Sequence, residues 1–313
     1  MSGIATAVKN QRKALELNGI EVTSDPGDEY DVLHINTIGP RSLYLAKKMK
    51  RKGKKIVLHT HTTAENFRES FGFSNQIAPL LKKYLRYFYD QGDLLICPSE
   101  YAKSELASYG LSTRIKVVSN GVDVETFKAD EKRGEEYRAR FELEGVVPFC
   151  VGNVFARKGI STFAKVGAMF PKHRFIWFGP IYGGPLKSRK VRSILKRTPP
   201  NVRFVGRVED IVAAYSAGDV FFLPTHHETQ GVVVLEAASC GKPILIRDLP
   251  VFKGWLQDGR DCLKATEEEF PEKLRRLLEN QQLRKKLGEN ARKLAEKHSL
   301  KEIGKQLIEA YGG

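Results

Sequence analysis

The chain has 313 residues, more than one hydrophobic core comfortably serves, and its 41% hydrophobic residues are enough to bury two domains of ordinary size. Cys97, Cys150, Cys240 and Cys262 are widely spaced with no Cys-x-x-Cys pair, and neither a signal-peptide pattern nor a bilayer-length apolar run is present. Disulfide-stapled and membrane-spanning classes are therefore set aside, and a reduced cytoplasmic protein is expected. The net charge of +15 points to an anionic partner, whether membrane, nucleic acid or phosphorylated substrate, or else to a lysine-rich solvated surface.

In chain order, a helical pattern through Ala7, Val8, Ala14, Leu15 and Leu17 ends at Asn18-Gly19. Tyr30 to Asn36 reads as a strand, and a helix is expected from Ser42 to about Lys52. The run Lys47, Lys48, Lys50, Arg51, Lys52, Lys54, Lys55 contains no acid, and suits either a solvated face or acidic lipid. Lys55 to Thr63 is a strand entering a polar loop. Residues two apart share a strand face, so His59 and His61 point the same way, although no third metal ligand is near; His34 reads as structural. Ile77, Leu80, Leu81, Tyr84, Leu85 and Phe88 recur at three and four, which marks an amphipathic helix with Lys82, Lys83 and Arg86 off the stripe and Tyr87 and Tyr89 beside it. It is either an interfacial membrane helix or an ordinary helix on a sheet. Strands follow at Asp93 to Ser99 and Ile115 to Ser119, then the turn Asn120-Gly121-Val122-Asp123, where the domain boundary is placed. A polar helical connector is expected within Lys128 to Glu144.

The second half opens with a strand and glycine turn at Phe149 to Phe155. Arg157 and Lys158 then stand in a strand-to-helix loop, a suitable place to hold phosphate by charge-assisted hydrogen bonds. Strands at Arg174 to Gly179 and Val202 to Gly206 flank a basic segment containing Lys187 and Arg192. Val220 to Leu223 is a buried strand ended by Pro224, and Gly231 opens a helix whose first N–H groups, Gly231 to Val233, suit an anion. Glu228 and Glu236 bracket that junction. A fully helical spacer would part them by about 12 Å, wider than the roughly 5 to 9.5 Å of paired glycosidase carboxylates, so they suit two ends of one elongated ligand. A Glu near a helix start is also a favourable partner for the dipole without further function. Ile244 to Asp248 is read as the last strand, and Ser299 with Glu302 as a capping box for a final helix ending near Tyr311.

Pro224, Glu228, Gly231, Glu236, Ala237 and Gly241-Lys242-Pro243 together resemble the E-x7-E signature of family-4 retaining glycosyltransferases. S-N-G-V-D ahead of Phe127 is similar to a further family segment. The resemblance implies an α/β fold, two Rossmann-like doubly wound domains in the GT-B arrangement. Residues 1–125 would form the acceptor domain, 126–298 the nucleotide-sugar domain, and 299–313 a helix packing back towards the first. It implies that Glu228 contacts donor-sugar hydroxyls and that amides following it, from Thr229 to Gly231, Val232 and Val233, hold the diphosphate. Glu236 would then bind the ribose, and Gly206, Arg207 and Val208 the base. Lys158 matches a family lysine; Asn153 stands where the family has an arginine, so Arg157 is expected to supply that charge. Ser2-Gly3 is similar to the family's phosphate loop with its preceding strand absent, so the chain is expected to be truncated or wrongly started, with Gly3 at the donor. His61 falls at the family's catalytic histidine, with His59 the second choice.

The runs S-G-I-A-T-A-V-K-N-Q, H-T-H-T-T-A-E-N-F and R-D-L-P-V-F-K-G-W resemble bacterial enzymes that glycosylate diacylglycerol glycolipids, especially those adding a second hexose. That implies retaining transfer of glucose or galactose from a UDP-sugar to a glycolipid such as glucosyl-diacylglycerol, without cofactor, metal or nucleic acid. His59, Lys82, Lys83, Arg86 and Tyr87 are assigned to the acceptor or the membrane, and a peripheral place on the inner face of the cell membrane is expected. Polysaccharide assembly, nucleotide-sugar epimerisation and non-catalytic binding are the rival readings.

Overall fold

The computed structural model describes residues 3–68, 74–183 and 188–312; Ser2 and Lys187, named above, lie outside them. The chain divides into two compact units, one made from 3–68, 74–121 and 298–312 and the other from within 122–297.

The first unit runs α1 (Gly3–Glu16), β1 (Val32–Ile35), α2 (Pro40–Arg51), β2 (Lys55–His59), α3 (Ala64–Phe67), α4 (Ser74–Tyr89), β3 (Leu94–Cys97), α5 (Glu100–Ala107) and β4 (Ile115–Val117). Its strands pair in parallel in the order β1-β2-β3-β4. Parallel pairing demands crossovers, which put helices on both faces and leave no wet side. The pleat then sends Ile56, Leu58, Leu95 and Cys97 into one core with Ala46, Met49, Leu85 and Phe88. The alternate residues Val57, Leu94 and Ile96 enter another with Leu15 of α1 and with Ile303, Leu307 and Ala310 of the final helix. Burial on both sides is why these strands read as continuous apolar runs.

The amphipathic stripe read for α4 is corrected. Its buried residues include Ala78, Leu85, Phe88 and Tyr89, whereas Leu80 is 71% exposed and Ile77 and Tyr87 are about half exposed. Periodicity located the helix, but the sheet takes the face carrying Tyr89, and Ile77 and Leu80 turn outward.

The second unit contains α6 (Glu131–Phe141), β5 (Pro148–Val151), α7 (Ile160–Ala168), β6 (Phe175–Phe178), α8 (Arg189–Lys196), β7 (Val202–Gly206), α9 (Ile211–Ala217), β8 (Val220–Leu223), α10 (Val232–Ser239), β9 (Ile244–Arg247), β10 (Leu263–Ala265), α11 (Phe270–Glu279) and α12 (Gln281–Lys297). All six strands are parallel, in the order β10-β9-β8-β5-β6-β7. β10 is a strand the sequence reading missed, because three residues at a sheet edge carry no periodic signal. The segment read as a connector is an integral helix here: α6 lies so close to α9 that a Cβ on Gly134 would come within 3.1 Å of Ser216.

The last helix, α13 (Leu300–Tyr311), lies in the first unit against α1. Ser299 occupies its N-cap position, but its side chain makes no cap hydrogen bond, and Glu302 instead pairs with Lys305 at 2.7 Å. The expected capping box is therefore not formed. The contact with α1 is set by Gly304, where a Cβ would lie 2.1 Å from the Ala14 carbonyl oxygen and 2.2 Å from Asn18 Nδ2. Gly304→Ala gains about 1 kcal/mol of helix propensity but forces α13 off α1, at about 1–3 kcal/mol or more for overpacking. Urea unfolding followed by circular dichroism should show a lower midpoint; a raised midpoint would mean that the two helices separate freely.

Candidate active site

The order of the second sheet reverses between β5 and β8, whose successors β6 and β9 lie on opposite sides of the pair. In doubly wound sheets the crevice beyond the carboxyl ends of such a pair is where ligands bind. The loop after β5 carries Arg157 and Lys158, and the loop after β8 carries Glu228 and Gly231. Separated by about seventy residues in sequence, the two loops meet at this point.

Their contact is close. Gly159 has φ +79°, and a Cβ there would fall 1.9 Å from the Pro224 carbonyl oxygen. The Arg157 carbonyl accepts from His226 N at 2.7 Å and from Thr225 Oγ1 at 3.2 Å, while Arg157 Nη1 donates to the His227 carbonyl at 3.2 Å. Arg247 of β9 completes the clamp, with Nε donating to the Thr225 carbonyl at 3.1 Å and Nη2 to Glu267 at 2.8 Å.

Inside this clamp Lys158 Nζ donates to Glu228 Oε1, and both side chains are buried. Burial alone would raise the Glu228 pKa; the charges of Lys158 and Arg157, with hydrogen bonds from Lys158 and Thr225, outweigh it and hold the carboxyl below its ordinary range. Glu228 is thus an ionised acceptor in a nearly dry site.

Gly231, at φ +86°, is the N-cap of α10. The N–H groups of Gly231, Val232 and Val233 have no helical carbonyl to bond and stand at the positive end of the helix dipole. Glu236, one turn inside α10, is 7% exposed and accepts from Tyr215 Oη at 2.6 Å. Burial raises its pKa to about 7, although the Tyr215 hydrogen bond acts in the opposite direction. The loop after β8 and the helix it enters therefore carry one charged carboxylate and one that takes up a proton near neutrality.

In the first unit three imidazoles stack. His59 and His61 lie 4.0 Å apart between centroids with planes 11° apart, and His34 lies 5.3 Å from His59 at 16°. Rings stacked in this way do not converge their nitrogens on one point, and among the described residues no cluster of three His, Cys, Asp or Glu is arranged for a metal. Gln11 Nε2 lies 2.9 Å from His59 Nδ1, and Tyr311 Oη lies 2.6 Å from His34 Nδ1. His61 Nε2 lies 2.8 Å from Asn36 Oδ1.

The remaining expected residues divide. Gly206, at φ +79°, ends β7, and the exposed Arg207 and half-buried Val208 follow it directly. Thr229 is half-buried between Glu228 and α10. Gly3 begins α1 in the first unit rather than a loop. His59, 2% exposed, is closed to any acceptor, because α1 covers it and His61 stacks on it. Lys82 pairs with Glu65 at 3.4 Å and lies over the Tyr109 ring, whereas Lys83, Arg86 and Tyr87 are exposed. Tyr215, Arg247, Asn36, Gln11 and Tyr311 were missed. Each acts through a partner distant in sequence, and only the His59-x-His61 spacing gave any sign of the stack.

The model of the glycosyl transferases group 1 family matches residues 135–294, and that of glycosyltransferase family 4 matches residues 25–126. Among curated proteins the chain is similar to a processive diacylglycerol alpha-glucosyltransferase of Acholeplasma laidlawii, at 34% identity over 99% of this chain and 93% of that one. It is also similar to an alpha-galactosylglucosyldiacylglycerol synthase of Streptococcus pneumoniae, at 28% identity over 89% and 76%. Among solved structures, Anabaena Alr3699/HepE in complex with UDP-glucose superposes with a TM-score of 0.76 at 19% identity, covering 98% of this chain and 81% of that one. The fold is GT-B, two parallel-sheet Rossmann-like units.

The buried carboxyl in α10 gives a pH signature. Glu236 keeps its proton in the fold to about pH 7, whereas an ordinary carboxyl ionises near 4.5. Between those values the fold binds more protons than the unfolded chain, so stability falls as pH rises through the window, by roughly 3 kcal/mol for this group. Glu236→Gln should remove that decline, seen as a smaller loss of denaturation midpoint between pH 4.5 and 7.5 than in the wild type. Parallel pH profiles for the two proteins would contradict the assignment.

Proposed function

The chain belongs to glycosyltransferase family 4, and from that premise we propose that it moves glucose or galactose from a UDP-sugar to a glycolipid hydroxyl, with retention at the anomeric carbon. The observation that carries this reading is the ionised Glu228, paired with Lys158, beside the open N-terminus of α10. One anionic group suits hydroxyls of a sugar; a cation and unpaired N–H groups suit a diphosphate.

Cleavage of the sugar–phosphate bond leaves negative charge on the departing diphosphate. Donors already oriented by the fold, the amides of Gly231 to Val233 and Lys158, stabilise that charge without reorganising. Arg157 holds the loop in shape and adds positive potential. Glu236, partly protonated near neutrality, can both accept from and donate to ribose hydroxyls, oriented by Tyr215. Gly206, Arg207 and Val208 take the base, and His61 is assigned to the reacting sugar. Residues 1–125 serve the acceptor and 126–298 the donor, with 299–313 packed on the first.

The diacylglycerol enzymes among the relatives support a lipid acceptor such as glucosyl-diacylglycerol. So does the outer face of α2 and α4, where Tyr44, Ile77, Leu80 and Tyr87 are exposed beside Lys48, Lys83 and Arg86. Lys47 lies 4.8 Å over the Tyr87 ring and links the two helices. Aromatic and aliphatic groups among lysines and arginines suit an anionic bilayer surface, at about 1 kcal/mol per basic residue near it. No helix among the described residues is long and apolar enough to cross a membrane. The chain works on this reading at the inner face of the cell membrane.

Labelled UDP-glucose and UDP-galactose, offered with glucosyl-diacylglycerol in anionic vesicles, should give an α-linked diglycosyl lipid from one donor. Donor consumed in vesicles with no labelled lipid would discard the acceptor. Glu228→Gln should lower turnover by roughly a hundredfold with UDP affinity little changed, whereas Glu236→Ala should weaken UDP binding itself. Unchanged transfer by Glu228→Gln would remove its role.

A further inference from the structure

The imidazole stack is more than a packed core feature, because its outermost ring is tied at only one nitrogen. His61 follows β2 by two residues, and Asn36 follows β1 by one. The parallel register sets Ile35 opposite Leu58, so both residues emerge at the carboxyl edge of the same strand pair. There His61 Nε2 lies 2.8 Å from Asn36 Oδ1. A carbonyl oxygen only accepts, so Nε2 carries the proton, and a neutral ring has only one. Nδ1 is then a bare lone pair, and among the described residues it makes no hydrogen bond. The ring is half-buried, with His59 stacked on one face.

The ring beneath is fixed in turn. His59 Nδ1 is approached by Gln11 Nε2 of α1 at 2.9 Å and by His34 Nε2 of β1 at 3.2 Å. His34 Nδ1 meets Tyr311 Oη of α13. Thus α1, β1, β2 and α13 each contribute a side chain to one rod of rings, and its end is His61. Among the described residues the titratable groups facing His61 are His59 at the end of β2 and His34 from β1, with Tyr311 behind His34; none of them is a carboxylate.

We infer that Asn36 is a positioning residue that, with the His59 and His34 rings behind it, holds His61 as the Nε2–H tautomer, so that the ring acts on substrate through Nδ1 as an acceptor for a sugar hydroxyl. This rests on the reading that His61 meets the reacting sugar. Burial acts in the same direction, lowering His61 to about 4 and, together with the charge His61 would carry, His34 to about 3. A proton added to any ring would lie beside its neighbours without a counter-ion.

The tautomer is read directly in the full-length wild type labelled with ¹⁵N-histidine, by long-range proton–nitrogen correlation from pH 5.5 to 8. The expected result is a protonated Nε2 and an unprotonated Nδ1 for His61 throughout. An Nδ1–H tautomer, or a cationic ring at neutral pH, would overturn the inference. Asn36→Asp keeps the acceptor but adds a charge, which raises the His61 pKa by about one unit or more. If neutral His61 is needed, turnover falls as pH drops through that raised pKa, so the acid limb of the kcat profile should move to higher pH in Asn36→Asp. A merely structural asparagine would leave the limb unmoved, and that result would also overturn the inference. Asn36→Ala should lower kcat on the order of ten- to a hundredfold with little change in donor KM. His61→Ala separates the two claims: full activity in that variant would remove His61 from the reaction, while the wild-type nitrogen spectra still decide the tautomer.

Discussion

Everything in the candidate donor site depends on how closely two loops approach at the reversal of the second sheet. Gly159 lies where any side chain would run into the Pro224 carbonyl, so the loop after β5 can lie directly on the loop after β8. That approach lets the Arg157 carbonyl bind two groups of the neighbouring loop, and it brings Lys158 to Glu228. Removing one partner of such a buried ion pair leaves an uncompensated charge, which costs about 3–5 kcal/mol. The site is therefore a structural joint as well as a place for a ligand.

Charge follows the same plan on a larger scale. From Gly145 to Val208 the sequence has thirteen Lys and Arg and not one Asp or Glu. Arg157, Lys158 and Arg207 belong to that segment, so the field around the β5 and β7 loops is positive before any single contact is considered. Glu228, just beyond this segment in sequence, is held ionised by it. Glu236, with a tyrosine for a partner instead of a cation, is pushed the opposite way. Two carboxylates eight residues apart thus acquire different chemistry from their neighbours alone.

Much of this was legible in the sequence because it is local. Val220 to Leu223, Pro224, Gly231 and the apolar helix behind it are set by neighbouring residues, and the structure keeps that order as β8, loop and α10. The inner strands β2, β3, β5, β6, β8 and β9 were visible as apolar runs because they are buried on both faces. What stayed hidden is non-local. Tyr215 reaches Glu236 from another helix, Arg247 reaches the loop from another strand, and Tyr311 meets His34 across most of the chain's length. β10 escaped notice as a three-residue edge, and Ile77 and Leu80 were misplaced because a helical period does not say which face the sheet will take.

The central claim is that the joint between Lys158, Glu228 and the α10 N-terminus receives a nucleotide diphosphate. The most direct test is a crystal structure of the full chain soaked with UDP. The diphosphate is predicted on the N–H groups of Gly231 to Val233 with Lys158 turned towards it, and the ribose hydroxyls on Glu236. UDP bound elsewhere in the second unit, with the α10 N-terminus untouched, would contradict the account.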